Sequence, residues 1–473
     1  MRTPSKHGSR PALAAAAFCA AVLCGGAVSA LEEAAPPPAA PPAAVAPRPR
    51  PPVRVGTLSN GLRLLCRAND ASEMVSIVCM VRAGIPDERD DQSGLAALTA
   101  EALVRGTTTH TDRGFQETLL AAGGNIRAAP AFDFTEITLV TNKDLFERAL
   151  KVLGDVVSHP RFSAEDVTAA KETLKRRITG QQQDMISGAY QALLGQLYSR
   201  SPYGRPANGD PEVIDRLRPE DVRRFWDANY VQNRITVAVV GDVDASKALT
   251  LALKAFQDVP FRPGSVTPAP PPEQLRRPRV EFVRGAEPRA QIMVGFLTPP
   301  ATRANFPVYA VLDAVVGGGK RARLFRNIRE GKSLGYELGS FYQPLMYQSH
   351  LTGYVVTDQY RKVPRGEGVE SLIDKVKELL IEQYRQLAAA GPTDQEIARA
   401  RAYVMGRYAL QRQERTRDQA KWLAWNSAMR LGTDFDEYFA AKVPAVTKEQ
   451  VQAAAKECFN SYALVVTVPQ DQQ

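Results

Sequence analysis

The histidines of this sequence are few and far apart, which bears on metal chemistry because neutral imidazoles are the usual zinc ligands. The chain of 473 residues has four, at positions 7, 110, 159 and 350, and none forms a His-x-x-x-His pair. His110 and His159 adjoin loop signals, and we interpret them as solvated surface residues. A zinc site assembled from His110, His159 and carboxylates is the alternative.

Two short glycine motifs match patterns that carry chemistry in other proteins. Gly331-Lys-Ser-Leu-Gly335 matches Gly-x-Ser-x-Gly, but that serine turn needs a strand before it and a helix after it. Here a helix-like pattern over 321–329 comes first and a strand-like pattern over 336–342 follows, which indicates a chance match. Gly317-Gly-Gly-Lys320 lacks the first glycine and the Ser/Thr of a phosphate loop, and we interpret it as a turn after a helix.

Any site in this chain must be positioned by strands and helices that alternate along the sequence. The two halves of the chain begin with the same order of predicted elements. Each half starts with two strands and a helix, which suggests an internal duplication. The predicted elements are 62–66, 75–81 and 93–104 in the first half, and 280–283, 292–297 and 306–316 in the second.

The rest of the chain also mixes long helical patterns with short apolar runs. Helices are predicted over 144–157, from Ser163 onward, over 369–388 and over 393–415, and strands over 235–240 and 462–468. Because helices and hairpins are interleaved, the predicted fold class is α+β.

The N-terminus has the composition of a secretory signal peptide. Three basic residues precede an apolar run from Ala12 to Leu23, and Val28-Ser29-Ala30 fits the small-residue cleavage pattern. We therefore predict a signal peptide over 1–30, export to the periplasm or cell envelope, and no transmembrane span after cleavage. An uncleaved anchor, a transit peptide and a lipoprotein signal are the alternatives.

Proline-rich stretches divide the remaining chain. Residues 34–52 are almost entirely Ala and Pro with two Arg, so 31–52 is predicted to be an extended tether, and the proline-rich stretch 263–278 is predicted to be a linker. A chain of this length exceeds a single hydrophobic core. The prediction is therefore two α/β half-domains, 53–262 and 279–468.

Charge and cysteine content exclude some classes. Without residues 1–30, which hold three basic and no acidic residues, 57 Lys and Arg face 51 Asp and Glu, a formal charge of +6. This mild excess forms no basic block, so nucleic-acid binding is not predicted. The three cysteines left give no disulfide framework, and Cys66 and Cys79 are interpreted as buried thiols.

Several segments, in order and spacing, resemble the insulinase/pitrilysin family of inverted zinc peptidases over about 55–468. The main one is 94–107, which follows Arg82-Ala83-Gly84 and is similar to the signature helix of that family. The other matching segments are 203–206, 229–233, 239–244, 323–329 and 334–336. The resemblance implies two homologous half-domains of the insulinase type.

Active members of this family carry His-x-x-Glu-His on the signature helix, with two zinc-binding imidazoles and a glutamate base. The resemblance places Ala97 and Glu101 at the two histidine positions and Ala100 at the glutamate. The third ligand, a glutamate about 75 residues further on, falls at Arg177, with Glu172 as the alternative alignment. This sequence therefore predicts a degenerate zinc site and no cofactor of its own, zinc being expected only in a partner subunit.

A second family feature is retained. Active members use an Arg and a Tyr seven residues apart in the C-terminal half to hold the substrate and stabilise the tetrahedral intermediate, and Arg329 and Tyr336 have that spacing. One such donor contributes roughly 3 kcal/mol to an oxyanion. The alternative interpretation is a solvated Arg329 and a packed Tyr336 ring.

Three hypotheses follow from the resemblance. The first is a non-catalytic subunit that forms a heterodimer with a zinc-bearing relative and contributes Arg329 and Tyr336 to peptide binding. The second is a structural or scaffold protein with no proteolytic role, and the third an active metallopeptidase with atypical ligands. The retained Arg/Tyr pair favours the first over the second, and the absent His pair disfavours the third.

Overall fold

The described part of the chain contains the elements predicted for both halves. The computed structural model describes residues 51–58, 61–110, 112–182, 184–262, 270, 273–285, 289–362, 369–413 and 415–469. The predicted signal peptide, most of the tether and much of the linker lie outside these ranges, and so does Asn60. The predicted domain boundaries stay predictions.

The first sheet is built from the N-terminal half. Its strands are β1 Arg54–Thr57, β2 Arg63–Ala68, β3 Met74–Val81, β4 Arg127–Pro130, β5 Thr135–Asn142 and β6 Ile235–Gly241. Their spatial order is β1-β2-β6-β3-β5-β4, with β2 and β6 parallel and the other neighbours antiparallel. β3 and β6 are buried over nearly their whole length, as in a sheet covered on both faces.

The second sheet repeats this arrangement. Its strands are β7 Arg279–Gly285, β8 Ala290–Thr298, β9 Glu337–Gln343, β10 Ser349–Thr357 and β13 Ala463–Pro469, and a separate ribbon contains β11 Tyr360–Lys362 and β12 Val369–Ser371. The order β7-β13-β8-β10-β9, with only β7 and β13 parallel, reproduces that of the first sheet without β1. The shared topology is the structural counterpart of the predicted duplication.

Helices cover both sheets. They are α1 Leu95–Leu103, α2 Asp112–Ala121, α3 Phe146–Ser158, α4 Ala164–Gln182, α5 Met185–Leu197, α6 Pro211–Arg216, α7 Pro219–Asn229, α8 Ala245–Ala255, α9 Phe306–Gly317, α10 Leu372–Ala390, α11 Asp394–Arg412, α12 Thr416–Ala428, α13 Phe435–Lys442 and α14 Lys448–Cys458. The α+β class is confirmed. Within the described ranges, no helix has both the length and the apolar content needed to cross a membrane.

The two halves exchange one helix each. Helix α5 of the N-terminal half packs on β8 and β13 of the second sheet, and α12 of the C-terminal half packs on β3 and β6 of the first. At the first contact a Cβ on Gly295 would lie 2.6 Å from Leu197, so the bare backbone lets α5 approach. At the second, the hydroxyls of Ser76 and Thr416 are 3.0 Å apart. Each sheet is therefore covered partly by the other half.

Three predicted helices differ in extent from the structure. The helix predicted from 369 begins at Leu372, because Val369–Ser371 pairs with β11. The pattern over 393–415 ends at Arg412, after which α12 starts a separate helix. The helical pattern before Gly331 is a short π-helix, Phe325–Glu330, where the amide of Gly331 donates to the carbonyl of Arg326.

The three cysteines of the described chain are buried and free. Burial raises the pKa of the Cys66 and Cys458 thiols to about 12, and raises the pKa of Cys79 as well. They are therefore protonated, apolar core groups at neutral pH, as predicted for Cys66 and Cys79.

Candidate functional site

Helix α1, the counterpart of the family's signature helix, is fixed at its N-terminus by Gly94 and Glu88. Gly94 has φ of 96° and lies against Gly209, where a Cβ would be 2.8 Å from the Gly209 Cα. The Glu88 carboxylate accepts hydrogen bonds from the amides of Gly94 and Ala96, at 3.2 and 2.8 Å. Burial raises the pKa of Glu88 to about 7. A glycine in the left-handed region, packed against Gly209, and a buried carboxylate cap thus define the start of α1.

The degenerate positions converge on one place between α1 and α4. Arg177 Nη2 on α4 donates to Glu101 Oε2 on α1 at 2.8 Å, and the two side chains are 20% and 13% exposed. Ala97 and Ala100 on the same helix are fully buried. Glu101 and Arg177, which the resemblance aligns with the second histidine and the third zinc ligand, are therefore close in space, but they form an ion pair.

Two further residues complete this group. Arg105, four residues after Glu101, donates through Nη2 to Glu101 Oε1 at 3.0 Å and to Thr173 Oγ1 at 2.8 Å. Sequence reasoning missed both residues, although the i, i+4 spacing of Glu101 and Arg105 is a known signal for a helical ion pair. Thr173 could not be found this way, because its position depends on how α4 packs against α1.

These side chains do not fit the zinc ion that the family resemblance implies. Two alanines offer no lone pair, the only carboxylate, Glu101, is held by two guanidinium groups, and a cation stands where the third ligand would be. The alternative ligand Glu172 is 58% exposed and lies 3.6 Å from Lys175. Nowhere in the described ranges do three or more His, Cys, Asp or Glu residues form a metal-binding group.

His110 and His159 meet at one carboxylate, although 49 residues separate them. Both Nδ1 atoms lie near Asp155, at 3.3 Å for His110 and 3.2 Å for His159, and Thr109 Oγ1 lies 2.8 Å from His110 Nδ1. The two imidazoles are 34% and 38% exposed, as expected of surface histidines. Their ring nitrogens nearest the carboxylate are used in hydrogen bonds.

Arg329 and Tyr336 lie close together in the C-terminal half. The Arg329 guanidinium donates to the backbone carbonyl of Tyr336, and the Tyr336 hydroxyl donates to Asp358 at 2.5 Å. Tyr336 is 48% exposed, with Arg289 stacked 4.1 Å from its ring centre, and the bond to Asp358 raises its pKa. Both side chains are thus held in place and open to solvent.

One contact links the N-terminal half to this region. Asp184, which caps α5 by accepting from the amide of Ser187, lies close enough to Glu337 to raise its pKa, after the larger effect of burial. Glu337 begins β9 and directly follows Tyr336. The chain segment between α4, which carries Arg177, and α5 therefore lies near the start of β9, the strand that follows Tyr336.

The fourth histidine is at the centre of a buried network that the sequence did not indicate. His350 on β10 has no exposed surface, and its Nε2 and Nδ1 lie 2.7 Å from Tyr190 Oη and 2.9 Å from Tyr198 Oη, both on or next to α5. Burial lowers the pKa of His350 to about 3. A neutral imidazole thus joins the two halves.

The two glycine motifs have the structural settings that were predicted for them. The segment 331–335 lies between the π-helix and β9, the reverse of a nucleophile turn. Gly317 ends α9 and lies against Ser340, where a Cβ would be 2.2 Å from the Ser340 amide. The glycine run after α9 is a turn that lets backbone segments approach.

Duplicated sheets with a signature helix after the third strand define a peptidase-like chain of the insulinase type, with an ion pair at positions that the resemblance aligns with zinc ligands. Residues 63–210 match the model of the insulinase family, peptidase family M16, and 216–404 match that of the peptidase M16 inactive domain. An uncharacterized zinc protease of Mycobacterium leprae is 25% identical over 422 residues, covering 87% of this chain and 91% of that protein. The chain belongs to peptidase family M16.

Solved structures have the same fold. The peptidase M16 inactive domain from Pseudomonas fluorescens has a TM-score of 0.79 at 19% identity, over 89% of this chain and 99% of that one. A chain of complex III2 from Candida albicans gives 0.74 at 17%, over 88% and 96%. The periplasmic protease PqqL from Escherichia coli gives 0.72 at 16%, over 89% of this chain and 48% of its own. At these identities the likeness concerns the fold alone.

Proposed function

We propose that this chain is the non-catalytic subunit of a two-subunit M16 peptidase and pairs with a relative that carries zinc. The observation that carries the proposal is the Glu101–Arg177 ion pair at the ligand positions, with Ala97 and Ala100 beside it. Alanine can neither bind a metal nor accept a proton from water. The hydrolytic groups would then come from the partner.

Arg329 and Tyr336 would be this chain's contribution to the shared site. Both are exposed, and the hydrogen bonds to Tyr336 O and Asp358 hold them in fixed positions, which favours pre-organised binding of a peptide. The guanidinium keeps further N–H donors for a substrate carbonyl or for the oxyanion of the partner's tetrahedral intermediate. The substrate class would be peptides.

The test is reconstitution with a zinc-bearing M16 protein from the same genome. Peptide cleavage is expected only when both chains are mixed, and a chelator should abolish it. Arg329→Ala should lower kcat/KM of the pair by about 100-fold, the effect of one oxyanion donor. Arg326→Ala, an exposed arginine one turn earlier, is the matched control and should leave kcat/KM unchanged.

Two results would contradict the proposal. The first is stoichiometric zinc binding and chelator-sensitive cleavage by this chain alone, which would make it an active enzyme with atypical ligands. The second is full activity of the pair with Arg329→Ala. That result would favour a scaffold role with no contribution of Arg329 to a shared site.

Export is part of the proposal. The basic start, the apolar run and Val28-Ser29-Ala30 support a cleaved signal peptide, and one protein of similar fold is a periplasmic protease. N-terminal sequencing of the protein from fractionated cells should find Leu31 as the first residue. A mature chain that still starts at Met1 in the cytoplasmic fraction would contradict export.

A further inference from the structure

Three arginines surround the degenerate zinc position, and we call Arg105, Arg176 and Arg177 the arginine cluster. Arg105 and Arg177 bind opposite oxygens of Glu101, at 3.0 and 2.8 Å. Arg105 and Arg176 both donate to Thr173 Oγ1, at 2.8 and 3.1 Å. One carboxylate and one hydroxyl therefore hold three guanidinium groups together.

The charges of this group do not balance. Among the described residues, Glu101 is the only acidic residue in an ion pair with the arginine cluster, which leaves a formal surplus of two positive charges. The neighbouring acidic residues Glu172 and Asp215 are engaged by Lys175, at 3.6 and 3.0 Å. Lys171 adds a further positive charge there, with its ammonium on the Asp215 carbonyl. The local field consequently favours an anion.

The arginine cluster also has donors to spare. Arg105 Nε is buried and has no hydrogen-bond partner in the described part of the chain. Arg105 and Arg177 are 25% and 20% exposed, and Arg176 is exposed, so a ligand can reach them. An unpaired buried donor costs free energy that a ligand acceptor would recover.

The carboxylate of Glu101 indicates which anion fits. It is planar, and its two oxygens accept from two guanidinium groups, one just after the end of α1 and one on α4. Guanidinium forks bind carboxylates through parallel N–H donors with strong directional preference. A second carboxylate can use the donors that Glu101 leaves free.

We infer that the arginine cluster is a carboxylate-binding site for peptide ligands, in the position where active relatives hold zinc. The carboxylate is either the C-terminus of the peptide or an aspartate or glutamate side chain. The choice of a peptide rests on the proposed function, whereas the carboxylate chemistry rests on the cluster itself. Guanidinium groups thus replace a metal cation as the positive charge of the site.

The test measures binding of fluorescent ten-residue peptides to the full chain without a partner. Two peptides lack acidic residues and differ in a free or amidated C-terminus. Two more are amidated and differ in one internal Glu or Gln. Tighter binding of the free-acid peptide identifies the C-terminus as the ligand, and tighter binding of the Glu peptide identifies the side chain. Equal affinities within both pairs would overturn the inference.

Variants separate binding from a structural role. Arg177→Gln should weaken the carboxylate-dependent binding about tenfold, the effect of one charge-assisted hydrogen bond. Glu101→Gln should strengthen it, because the internal competitor for the guanidinium donors loses its charge. Lys151→Gln, which removes one exposed positive charge on α3, should change nothing.

A carboxylate site predicts weaker peptide binding for Arg177→Gln and stronger peptide binding for Glu101→Gln. A purely structural ion pair predicts weaker binding for both variants, so the change in affinity of Glu101→Gln decides between the two. Weaker binding of both variants would refute the carboxylate site. The assay needs no partner enzyme, so its failure leaves the proposed function standing. Conversely, carboxylate-selective binding combined with full activity of the Arg329→Ala pair would refute only the shared-site proposal.

Discussion

Glu101 and Arg177 are 76 residues apart in sequence, yet the carboxylate of one lies 2.8 Å from the guanidinium of the other. The pair joins α1 to α4, at positions that the family resemblance aligns with two zinc ligands. Both side chains are largely buried, so the ion pair contributes to the packing of α1 against α4.

We expect Arg177→Ala to lower the free energy of unfolding by about 1–2 kcal/mol, because Glu101 would keep only Arg105 as its partner. Urea unfolding of both single variants and of the double variant Glu101→Ala/Arg177→Ala measures the coupling. A double variant no less stable than Arg177→Ala is expected. Strictly additive losses would mean that the pair does not interact.

The buried imidazole of His350 should make stability depend on acid pH. Its pKa falls from 6.5 to about 3 on folding, because burial disfavours the charged form. The folded state therefore binds fewer protons than the unfolded state between these values. The stability it contributes is complete above pH 6.5 and is lost as pH falls toward 3, at up to about 1.4 kcal/mol per pH unit.

Denaturant titrations of the native chain and of His350→Gln at several pH values test this. The variant should be less stable at pH 7, since Tyr190 and Tyr198 lose their buried partner. The difference should shrink as the pH falls from 6.5 to 4. A difference that is constant over this range would contradict the assigned pKa.

The buried carboxyl group of Asp133 should make the stability depend on pH in the direction opposite to that of His350. The Tyr203 hydroxyl donates to this buried carboxyl, as does the Met346 amide at 3.0 Å, and burial raises its pKa from 3.8 to about 7. Its folded state binds more protons, so its contribution is complete below pH 3.8 and is lost as pH rises to 7. Asp133→Asn should therefore become relatively more stable than the native chain as pH rises from 4 to 7, measured by the same titrations.

The contact of α5 with the second sheet should be sensitive to the size of the side chain at position 295. Gly295→Val should destabilise the chain by about 2–3 kcal/mol, because the added methyls would overlap Leu197 and Leu193. Gly180→Ala on α4 is the control. Its Cβ would meet nothing within 4 Å, so a gain of about 0.5–1 kcal/mol from helix propensity is expected. Thermal unfolding of both variants checks the two signs.

Much of this architecture could be predicted from residue patterns alone. Apolar periodicity located the strands β2, β3, β6, β7, β8, β9 and β13 and the helices α1, α3, α4, α9, α10 and α11, but not the long strands β5 and β10 or the helices α5 and α12. The repeated start of the two halves indicated the shared topology that the two sheets display. The ends of elements were less predictable. Val369–Ser371 has a helical pattern but pairs with Tyr360–Lys362, because a tertiary hydrogen-bonding partner outweighs local propensity.

The residues of the candidate site could be predicted only through the family resemblance, which aligned positions of this sequence with zinc-ligand positions of active members. The resemblance placed Glu101 and Arg177 at ligand positions, which stays a prediction, and the structure shows only that the two side chains form an ion pair. The surroundings of His350 were not predictable, since its tyrosine partners are 152 and 160 residues away. Contacts of that kind arise from the packing of α5 across the two halves, which no local spacing encodes.

Because α5 of the N-terminal half packs on the second sheet and α12 of the C-terminal half packs on the first, each half completes the hydrophobic core of the other. A fragment that ended at the predicted linker would carry α5 without the sheet it covers and would expose the face that α12 shields. Separate expression of 53–262 or 279–468 would therefore give aggregation-prone material, whereas co-expressed fragments could reassemble by complementation. We therefore expect the two halves to fold cooperatively, and a chain cut at the linker should be stable only when both fragments are present together.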